Sequence, residues 1–415
     1  MRVAHVGVEI VAARNGAYVG GLVKNVATLA RAQAHRGDDI EIFTTDVRGI
    51  LGGGEPDGTP RTRTVRTVGE YGSLGFASSF MVRVARAFRR AHARQPFDVV
   101  HVHSAYSTFG GIGYLLPRSG VRTVFSLYSP NFRAIPGHSC DGRRSLGAGA
   151  LLRTSLRPFD GTTVPSLHLQ TRLEAMGLPS RKTSLLPPAI DSMALEGLPS
   201  KGTARAALGI DEDRPVVAFV GNYSPWKGVE DLLVAMREVR RQHPDALLLT
   251  AWGEPYEWSG NRRDAVLGLI DSLGLESAVH QVGIVPDIRV VLRSADVLAS
   301  PFHCTCKVLD VPLSILEAFA CGLPVVSTEV GGIPETLGRD GERGLLVGPR
   351  RPAALAATIA SMLDEPKRRS QTGIRATDWV RDRFRSDVVA ARADDVYAGL
   401  RERERSPVAV VAPAD

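Results

Sequence analysis

VPLSILEAFACGLPVVSTEVGGIPE, residues 311–335, joins a short apolar helix to a buried strand and then to a Gly-Gly turn. A helix is predicted over PLSILEAFACG and a strand over PVVST, because a Gly-Leu-Pro break separates them. In an open parallel sheet, ligands lie beyond the carboxyl ends of the strands, and this is where Gly331 and Gly332 free the backbone. Glu317 is a single carboxylate among apolar helix residues, where an unpaired buried charge would be costly. The stretch therefore predicts one wall of a ligand pocket.

Strand-like and helix-like runs alternate along nearly the whole chain. The first half contains the predicted strands RVAHVGV, DIEIFTT, FDVVHVH and VRTVFSLYS, and the second half contains PVVAFVG, ALLLTAWG, AVHQVG and DVLASP. Segments with helical spacing, such as GGLVKNVATLARAQAHRG and GVEDLLVAMREVRRQ, lie between them. This βαβ order predicts an α/β fold with two Rossmann-like domains that face each other across a cleft.

The alternation of predicted strands and helices is interrupted once, and we place the expected domain boundary there. Residues 191–214 are rich in Gly, Pro and charge and predict an interdomain linker. We therefore expect an N-terminal domain over 1–195 and a C-terminal domain over 210–383. Residues 51–75 predict an exposed loop, and residues 403–415 predict a disordered tail.

Bulk composition indicates a globular protein of more than one domain. A chain of 415 residues is too long for one hydrophobic core, and no apolar run reaches the roughly 18 residues that a membrane span needs. Cys140, Cys304, Cys306 and Cys321 suggest no disulfide framework, which favours a cytoplasmic location. The net charge is +7, but the arginines are interspersed with acidic residues along most of the chain. Solvated helix faces therefore explain this charge better than a nucleic-acid partner does.

Several residues at predicted strand ends are candidates for ligand binding. Lys227 lies at a helix start, where its charge would help the helix N-terminus attract phosphate, although a solvated surface lysine is the alternative. Gly20 and Gly21 offer bare backbone before the first helix, without the spacing of a dinucleotide fingerprint. Glu317 could grip the two hydroxyls of a ribose, point outward or pair with an arginine. Glu335 could bind a ligand or cap the next turn.

Two histidine-containing motifs are weaker candidates. HCTC, residues 303–306, is half a metal site at best and has no second Cys/His cluster, so no metal is expected. In the strand FDVVHVH, one of the two alternating histidines should face the cleft, and His103 is the later one. A histidine satisfied within the core is an equally good interpretation.

The chain resembles the family-4 glycosyltransferases of the two-domain GT-B fold over roughly residues 1–400. The motifs that carry the resemblance are GGLVKNVATLARAQAHRGDDIEIFT, FDVVHVHS, GNYSPWKGVEDLLVAM, VGIVPDIRVVLRSADVLASP and PLSILEAFACGLPVVSTEVGGIPE. The resemblance implies transfer of a sugar from a nucleotide diphosphate sugar, UDP- or GDP-linked, with retention at the anomeric carbon. It implies no metal and no further cofactor. It also implies that a final helix over 384–402 packs back on the N-terminal domain.

The resemblance also implies roles for individual residues. Glu317 would hold the donor ribose, and Lys227 would neutralise the donor diphosphate. The other implied donor contacts are Gly20, Gly21, Asn222, Val282, Gly283, Val285, Leu309, Val311, Pro312 and Leu313. The acceptor contacts are expected at His103, Tyr128 and Asn131, and the catalytic set at Lys227, Glu317, Tyr128 and Asp310.

Three positions depart from the family pattern. Leu309 stands where the first glutamate of the Glu-x7-Glu motif normally touches the transferred sugar, and the neighbouring Asp310 is a candidate replacement. Asn222 stands where an arginine usually follows the strand, which leaves more of the diphosphate charge to Lys227. Tyr128 stands where the family has a histidine that contacts the donor sugar. Together these departures argue against a housekeeping glucosyl or mannosyl transfer and favour an unusual donor sugar or an unusual acceptor.

We therefore expect a retaining glycosyltransferase that acts on a small-molecule acceptor in a specialised-metabolite, antibiotic-type pathway. A thiol acceptor is one variant, because its unperturbed pKa of roughly 8.5 eases activation. One alternative is a peripheral-membrane enzyme with a lipid or cell-envelope acceptor, since helix 81–94 is basic and amphipathic. A second alternative is a nucleotide-sugar-binding protein without catalysis. A nucleic-acid partner is not expected.

Overall fold

A computed structural model provides the structure of the protein. It describes residues 1–8, 20–45, 60–68, 73–117, 119–129, 148–252, 260–306, 308–339 and 341–405. Two parallel sheets, one in each half of the chain, are flanked by helices. The predicted fold of two Rossmann-like α/β domains is confirmed.

The first sheet contains the strands of the N-terminal half in the order β3-β2-β1-β4-β5-β6-β7, all parallel. Its strands are β1 Arg2–Val6, β2 Asp39–Thr44, β3 Arg61–Thr64, β4 Val99–Ser104, β5 Arg122–Leu127, β6 Gly161–Val164 and β7 Thr183–Leu185. The central strands are buried on both faces, which explains their nearly continuous apolar sequences.

The second sheet has the order β10-β9-β8-β11-β12-β13 and is also parallel. Its strands are β8 Val216–Gly221, β9 Leu247–Trp252, β10 Val279–Gln281, β11 Val297–Ser300, β12 Val325–Thr328 and β13 Gly344–Val347. In both sheets the strand order reverses beside the first strand of the half. This is where doubly wound folds bind ligands.

Helices connect the strands and cover both faces of each sheet. They are α1 Gly21–His35, α2 Leu74–Arg94, α3 Ala148–Leu156, α4 Leu167–Ala175, α5 Lys201–Ala207, α6 Val229–Gln242, α7 Gly260–Ser272, α8 Ile288–Ser294, α9 Leu313–Ala320, α10 Ile333–Leu337, α11 Pro352–Asp364, α12 Pro366–Arg383 and α13 Ser386–Arg405. Among the described residues, none of these helices combines the length and apolar character that a membrane crossing requires.

Helix α13 returns from the end of the second half to the first sheet and packs against α1. The Tyr397 hydroxyl lies 2.7 Å from His101 Nδ1, and Arg36 pairs with Asp394 at 3.2 Å. Leu400 packs over Gly161, where an added Cβ would lie 3.0 Å from the leucine side chain. The tail predicted over 403–415 lies outside the described residues from position 406 onward.

Two segments predicted as irregular contain regular structure. Within the loop predicted over 51–75, Arg61–Thr64 forms edge strand β3 and α2 begins at Leu74. Within the linker predicted over 191–214, Lys201–Ala207 forms α5, capped by the Ser200 hydroxyl. The buried guanidinium of Arg205 on α5 donates to Asp296, which fixes this helix to the second domain.

An apolar cluster runs without interruption from one domain into the other. It includes Leu29 and Ile42 from the first sheet and its helix, and Leu249 and Leu316 from the second domain. The domains therefore touch through packed side chains.

Gly228, between Lys227 and α6, provides a test of the turn that places Lys227. Its φ is +70°, and an added Cβ would lie 1.9 Å from the Pro301 carbonyl oxygen. We expect Gly228→Ala to lower the free energy of unfolding by about 3 kcal/mol, measured by urea denaturation, because both strain and overlap oppose it.

Gly202→Ala is the matched control, because Gly202 lies in α5 with open space around it. That change should leave stability unchanged or raise it by about 0.5–1 kcal/mol. Equal midpoints for the two variants would contradict the described backbone at Gly228.

Candidate active site

A cavity of about 210 Å³ lies between the two domains. Its first-domain wall comes from α1 and the segment after β7, including Lys24 and Asp191. Its second-domain wall comes from the start of α8 and one side of α9, including Asp287, Leu313 and Glu317. A pocket that only exists when two domains meet is suited to binding a ligand that bridges them.

Glu317 points into this cavity and forms an ion pair with Lys24 of α1. The Glu317 side chain is 13% exposed. Burial opposes the charged form of Lys24, but the Glu317 carboxylate, together with the charge of Asp191, outweighs it and raises the pKa of the Lys24 ammonium. The pair explains how a carboxylate is tolerated among the apolar residues of α9, and it joins the two domains across the cavity.

Lys227 lies at the carboxyl edge of the second sheet, directly after β8. Its Nζ is 4.7 Å from the centroid of the Phe302 ring, and its stem passes Gly221 at the end of the strand. No carboxylate pairs with it among the described residues. Burial lowers the pKa of the Lys227 ammonium to about 8, since no anion offsets the cost of desolvation. A half-buried cation without a counter-ion is a site for an anion from outside the chain.

The N-terminus of α9 lies at the same edge. Pro312 precedes the helix, and its carbonyl accepts the first helical N–H groups, from Ile315 and Leu316. The N–H groups of Leu313 and Ser314 come before those bonds and have no acceptor within the helix. The Ser314 hydroxyl is buried and has no hydrogen-bond partner in the described residues. N–H groups at a helix start and an unsatisfied hydroxyl beside them favour a bound anion such as phosphate.

Leu309 occupies an apolar contact between the domains. An added Cβ on Gly21 would lie 3.1 Å from the Leu309 side chain and 3.7 Å from that of Leu313. Leu309 is buried, 7% exposed. The Gly-Gly backbone before α1 is therefore packed against hydrocarbon at this point, and Gly20 (φ +110°) makes the turn into the helix.

Asp310 is fully buried and binds residues from both domains. Its carboxylate accepts hydrogen bonds from Ser166 at 2.5 Å and Thr305 at 2.5 Å, and it lies 2.9 Å from His168 Nδ1. Its own N–H donates to the Tyr128 carbonyl at 2.8 Å. Asp310 was a candidate to replace the missing glutamate, but its carboxylate is already hydrogen-bonded to donors of the protein itself.

Glu335 adds to this interdomain contact. Its Oε1 accepts the Leu167 N–H at 3.1 Å, so it caps α4 of the other domain and not the turn that follows it in sequence. Burial, together with the nearby Asp310 charge, raises the pKa of the Glu335 carboxyl. Gly331 must lack a side chain, because a Cβ there would lie 2.5 Å from the Asp310 carboxylate.

Tyr128 and His103 lie in a buried network behind the cleft and do not line the cavity. His103 Nδ1 is 2.9 Å from the Tyr128 hydroxyl, and its Nε2 is 2.8 Å from His5 Nδ1. The other nitrogen of His5 bonds Gln33 at 2.8 Å. Burial raises the pKa of Tyr128 and lowers that of His103. The histidines therefore match the core interpretation, in which hydrogen bonds satisfy them.

His5, His101 and His103 are also the residues closest to a metal-ligand set in the described part of the chain, with ligand nitrogens within 4.8 Å of one another. His101 bonds Tyr397 and Ser126 through its two nitrogens. Every ring nitrogen of the three thus has a protein partner, so the geometry is that of a hydrogen-bonded network.

The remaining predicted contacts lie around the same edge, with one outside the described residues. The Asn222 side chain accepts the Ser224 N–H at 3.1 Å and shapes the turn before Lys227. Val282 and Val285 pack against the interdomain cluster, and Gly283 between them has a φ of +66°. Val311 is buried beside Pro312. Asn131 lies outside the described residues.

The cysteines differ from expectation. Cys304 and Cys306 form a disulfide that the sequence did not predict, a link within the HCTC motif that leaves no free thiol pair there. A single local bond is not a disulfide framework, and the cytoplasmic location stays a prediction. Cys321 is free, and burial raises the pKa of its thiol to about 12.

Sequence reasoning missed Lys24 and Ser314. Both lie within motifs that had been singled out, one turn into α1 and at the start of α9. Lys24 lies on the first helical turn after the Gly-Gly segment, and Ser314 on the first turn after the Asp-Val-Pro segment. These positions could have indicated both residues as site candidates. Ser166 and His168 could not be found in this way, because only the fold brings α4 to Asp310.

Comparison with known proteins matches the two halves to two family models. Residues 19–193 match the model described as Glycosyltransferase Family 4, and residues 200–379 match that described as Glycosyl transferases group 1. A D-inositol 3-phosphate glycosyltransferase of Segniliparus rotundus is 32% identical over 364 residues, covering 84% of this chain and 78% of its own.

Two further similarities concern a second relative and a solved structure. A GDP-mannose-dependent alpha-(1-6)-phosphatidylinositol monomannoside mannosyltransferase of Mycolicibacterium smegmatis is 29% identical over 300 residues, covering 71% of this chain and 75% of its own. Sucrose-phosphate synthase from Thermosynechococcus elongatus superposes with a TM-score of 0.81 at 25% identity, covering 97% of this chain and 99% of that one.

Asp310→Ala tests whether this carboxylate holds the domains together. The change leaves the Ser166 and Thr305 hydroxyls without their acceptor, so we expect a loss of about 3 kcal/mol in stability. Small-angle scattering should show a larger radius of gyration, because the domains separate.

Asp287→Ala is the control, since Asp287 pairs with Arg289 of its own domain and lines the same cavity. A role of Asp310 on the sugar alone would instead leave compactness and stability intact and abolish only turnover. That result would contradict the structural role.

Proposed function

The chain belongs to glycosyltransferase family 4, and we propose that it transfers a sugar, with retention, from a nucleoside diphosphate sugar to a small hydroxylated acceptor. The observation that carries the donor site is the cation of Lys227, which is half-buried and has no carboxylate partner in the described residues. The N-terminus of α9 and the unsatisfied Ser314 hydroxyl lie at the same sheet edge and support a diphosphate there.

In the proposed pose the donor lies along the second domain. The ribose binds Glu317 in the interdomain cavity, and the base lies against the backbone of Val282, Gly283 and Val285. The diphosphate extends toward Lys227 and the start of α9. Lys24 must then share Glu317 with the ribose hydroxyls or move aside, so donor binding would act directly on an interdomain ion pair.

The chemistry requires one bond to break and one to form at the anomeric carbon. The bond from that carbon to the phosphate oxygen breaks, and Lys227 with the α9 N–H groups stabilises the charge on the departing diphosphate. The acceptor oxygen bonds the same carbon and gives its proton to the departing phosphate. The packed domains exclude water that would hydrolyse the donor.

Leu309 supports a donor sugar that differs from the family's usual hexoses. Where a glutamate would bind sugar hydroxyls, this chain has hydrocarbon packed on Gly21. The Asp310 carboxylate and the Tyr128 hydroxyl are both engaged inside the protein. A sugar with fewer hydroxyls on that side would lose less on entering the site, because fewer polar groups would be left unpaired.

For the acceptor, the named relatives support a small polyol phosphate of the inositol phosphate kind. They give no support to an antibiotic-type pathway, which stays a prediction, as does the thiol acceptor. No metal or other cofactor is included in this proposal. The alternative of a binding protein without catalysis would show donor binding without product.

A thermal-shift screen with UDP, GDP, ADP, CMP and dTDP tests the donor site. At about 100 times its Kd, the correct nucleotide should raise the melting temperature by roughly 5 °C. Glu317→Ala and Lys227→Ala should abolish the shift, because they remove the ribose and diphosphate contacts. Glu276→Ala and Lys367→Ala, which alter exposed residues elsewhere, should retain it. A shift that survives in both site variants would refute the assignment.

The pH dependence of nucleotide affinity tests Lys227 separately. In the empty protein its pKa is about 8, below the ordinary value, so it is charged below pH 8 and becomes neutral above it. The diphosphate binds the charged form. Affinity measured by calorimetry should therefore be nearly constant below pH 8 and weaken about tenfold per pH unit above it.

Lys227→Arg is the control, because an arginine stays charged throughout this range. Its affinity should not fall between pH 8 and pH 10, even if it is weaker overall. A wild-type affinity that stays flat to pH 10 would show that the Lys227 ammonium does not bind the diphosphate.

A further inference from the structure

The disulfide between Cys304 and Cys306 closes a ring that contains one intervening residue, Thr305. It lies in the segment between β11 and α9, at the carboxyl edge of the second sheet. A cross-link between residues this close in sequence removes little conformational freedom from the unfolded chain, so it adds little to global stability. What the bond constrains is the backbone on either side of Thr305.

Thr305 joins this ring to the contact between the domains. Its hydroxyl donates to the buried Asp310 carboxylate at 2.5 Å. Its carbonyl accepts a hydrogen bond from the hydroxyl of Ser129, a residue of the first domain, at 3.1 Å. Thr305 itself is buried. A change in the shape of the ring therefore acts directly on the contact that positions the two domains.

The residues just before the ring lie against the proposed diphosphate site. The centroid of the Phe302 ring is 4.7 Å from Lys227 Nζ. The His303 N–H donates to the Trp226 carbonyl at 2.8 Å, and His303 Nε2 lies 2.8 Å from a carboxylate oxygen of Asp231 on α6. The disulfide is thus placed between the turn that holds the Lys227 cation and the carboxylate that joins the domains.

We propose that the Cys304–Cys306 bond is a reversible redox modification site, and that a dithiol reductant which opens it weakens nucleotide binding at the donor site. This inference rests on the proposed function, because it concerns regulation of that same site. The closed ring holds the Thr305 hydroxyl on Asp310. Opening the ring frees the backbone torsions there, so a smaller fraction of molecules has the domain arrangement that binds the donor.

The exchange reaction consumes one dithiol for each disulfide. Cys306 is half-buried whereas Cys304 is buried, so the reductant's thiolate attacks the Cys306 sulfur and Cys304 leaves as a thiolate. The second thiolate of the reductant then attacks its own sulfur in the mixed disulfide and releases Cys306. Two electrons and two protons pass to the protein cysteines, and the reductant departs as a disulfide.

Reduction of the folded full chain, followed by calorimetry, tests the proposal. Dithiothreitol is added without denaturant, and alkylation with peptide mapping measures how much of the bond has opened. The probe is whichever of UDP, GDP, ADP and dTDP raises the melting temperature most. The reduced protein should bind it about tenfold more weakly, which corresponds to one lost hydrogen bond to a charged acceptor. Its melting temperature without nucleotide should change by less than about 2 °C, because the closed ring is so short.

Variants separate the bond from the other cysteines and from the hydroxyl. The double variant Cys304→Ser, Cys306→Ser should bind the nucleotide like the reduced wild type and should not respond to dithiothreitol. Thr305→Val keeps the disulfide but removes the donor to Asp310, so its binding should be weak in both redox states. Thr305→Ser restores a hydroxyl and should restore the redox response.

Hydrogen exchange distinguishes failure of this proposal from failure of the donor site. The Asp310 N–H donates to the Tyr128 carbonyl of the first domain at 2.8 Å, and reduction should accelerate its exchange about tenfold whether or not a nucleotide binds. Oxidised protein that binds none of the nucleotides would refute the donor site alone.

Any of three results would overturn the redox site itself. The first is a bond that dithiothreitol does not open in the folded protein. The second is an unchanged exchange rate at Asp310 together with equal nucleotide affinities in the two redox states. The third is a redox response that persists in the double serine variant, which would assign the response to another cysteine.

Discussion

The carboxylate of Asp310 is buried between the two domains, and the relative position of the two sheets depends on it. Ser166 and His168 approach it from the first domain, and Thr305 approaches it from the second. A fully buried carboxylate is stable only when it is hydrogen-bonded in this way. The contact therefore favours one arrangement of the domains over others, and the interdomain cavity exists in that arrangement.

In that arrangement, some charged groups pair with each other across the domains, and others have no partner within the described part of the protein. Charges that join the domains are paired, as Lys24 is with Glu317. Lys227 is left without an internal partner in the described residues, and the Ser314 hydroxyl is left unsatisfied. Unpaired polar groups lower the stability of the folded protein, and binding of an anionic ligand would restore that stability. These two groups lie where we propose that the donor diphosphate binds.

Most strands and the edge of the sheet that carries the candidate site were predictable from sequence, because buried parallel strands are continuous apolar runs and ligand residues follow them. Strand β3 was not predictable, because Arg-Thr-Arg-Thr on an exposed edge has no apolar alternation. Helix α5 was hidden in a segment rich in Gly and charge. Ser166, which donates to Asp310, lies 144 residues from it, and Lys24 lies 293 residues from Glu317, separations at which one sequence shows no pairing. Asp310 therefore looked like a free carboxylate.

From sequence, His103 was left open between the cleft and the core, and Tyr128 was expected to contact a substrate. Tyr128 follows β5 and the histidines lie within β1 and β4, but α1 and α13 cover that side of the sheet and supply Gln33 and Tyr397 as partners of the histidines. Position after a strand predicts the correct edge of a sheet. It does not predict whether another element has already covered that edge.

A crystal structure with the nucleoside diphosphate selected by the binding screen tests the central claim most directly. We expect the ribose hydroxyls within hydrogen-bond distance of Glu317, and the diphosphate between Lys227 and the first turn of α9. A nucleotide bound in the first domain, or one that leaves the Lys24–Glu317 pair intact with no phosphate near Lys227, would contradict it.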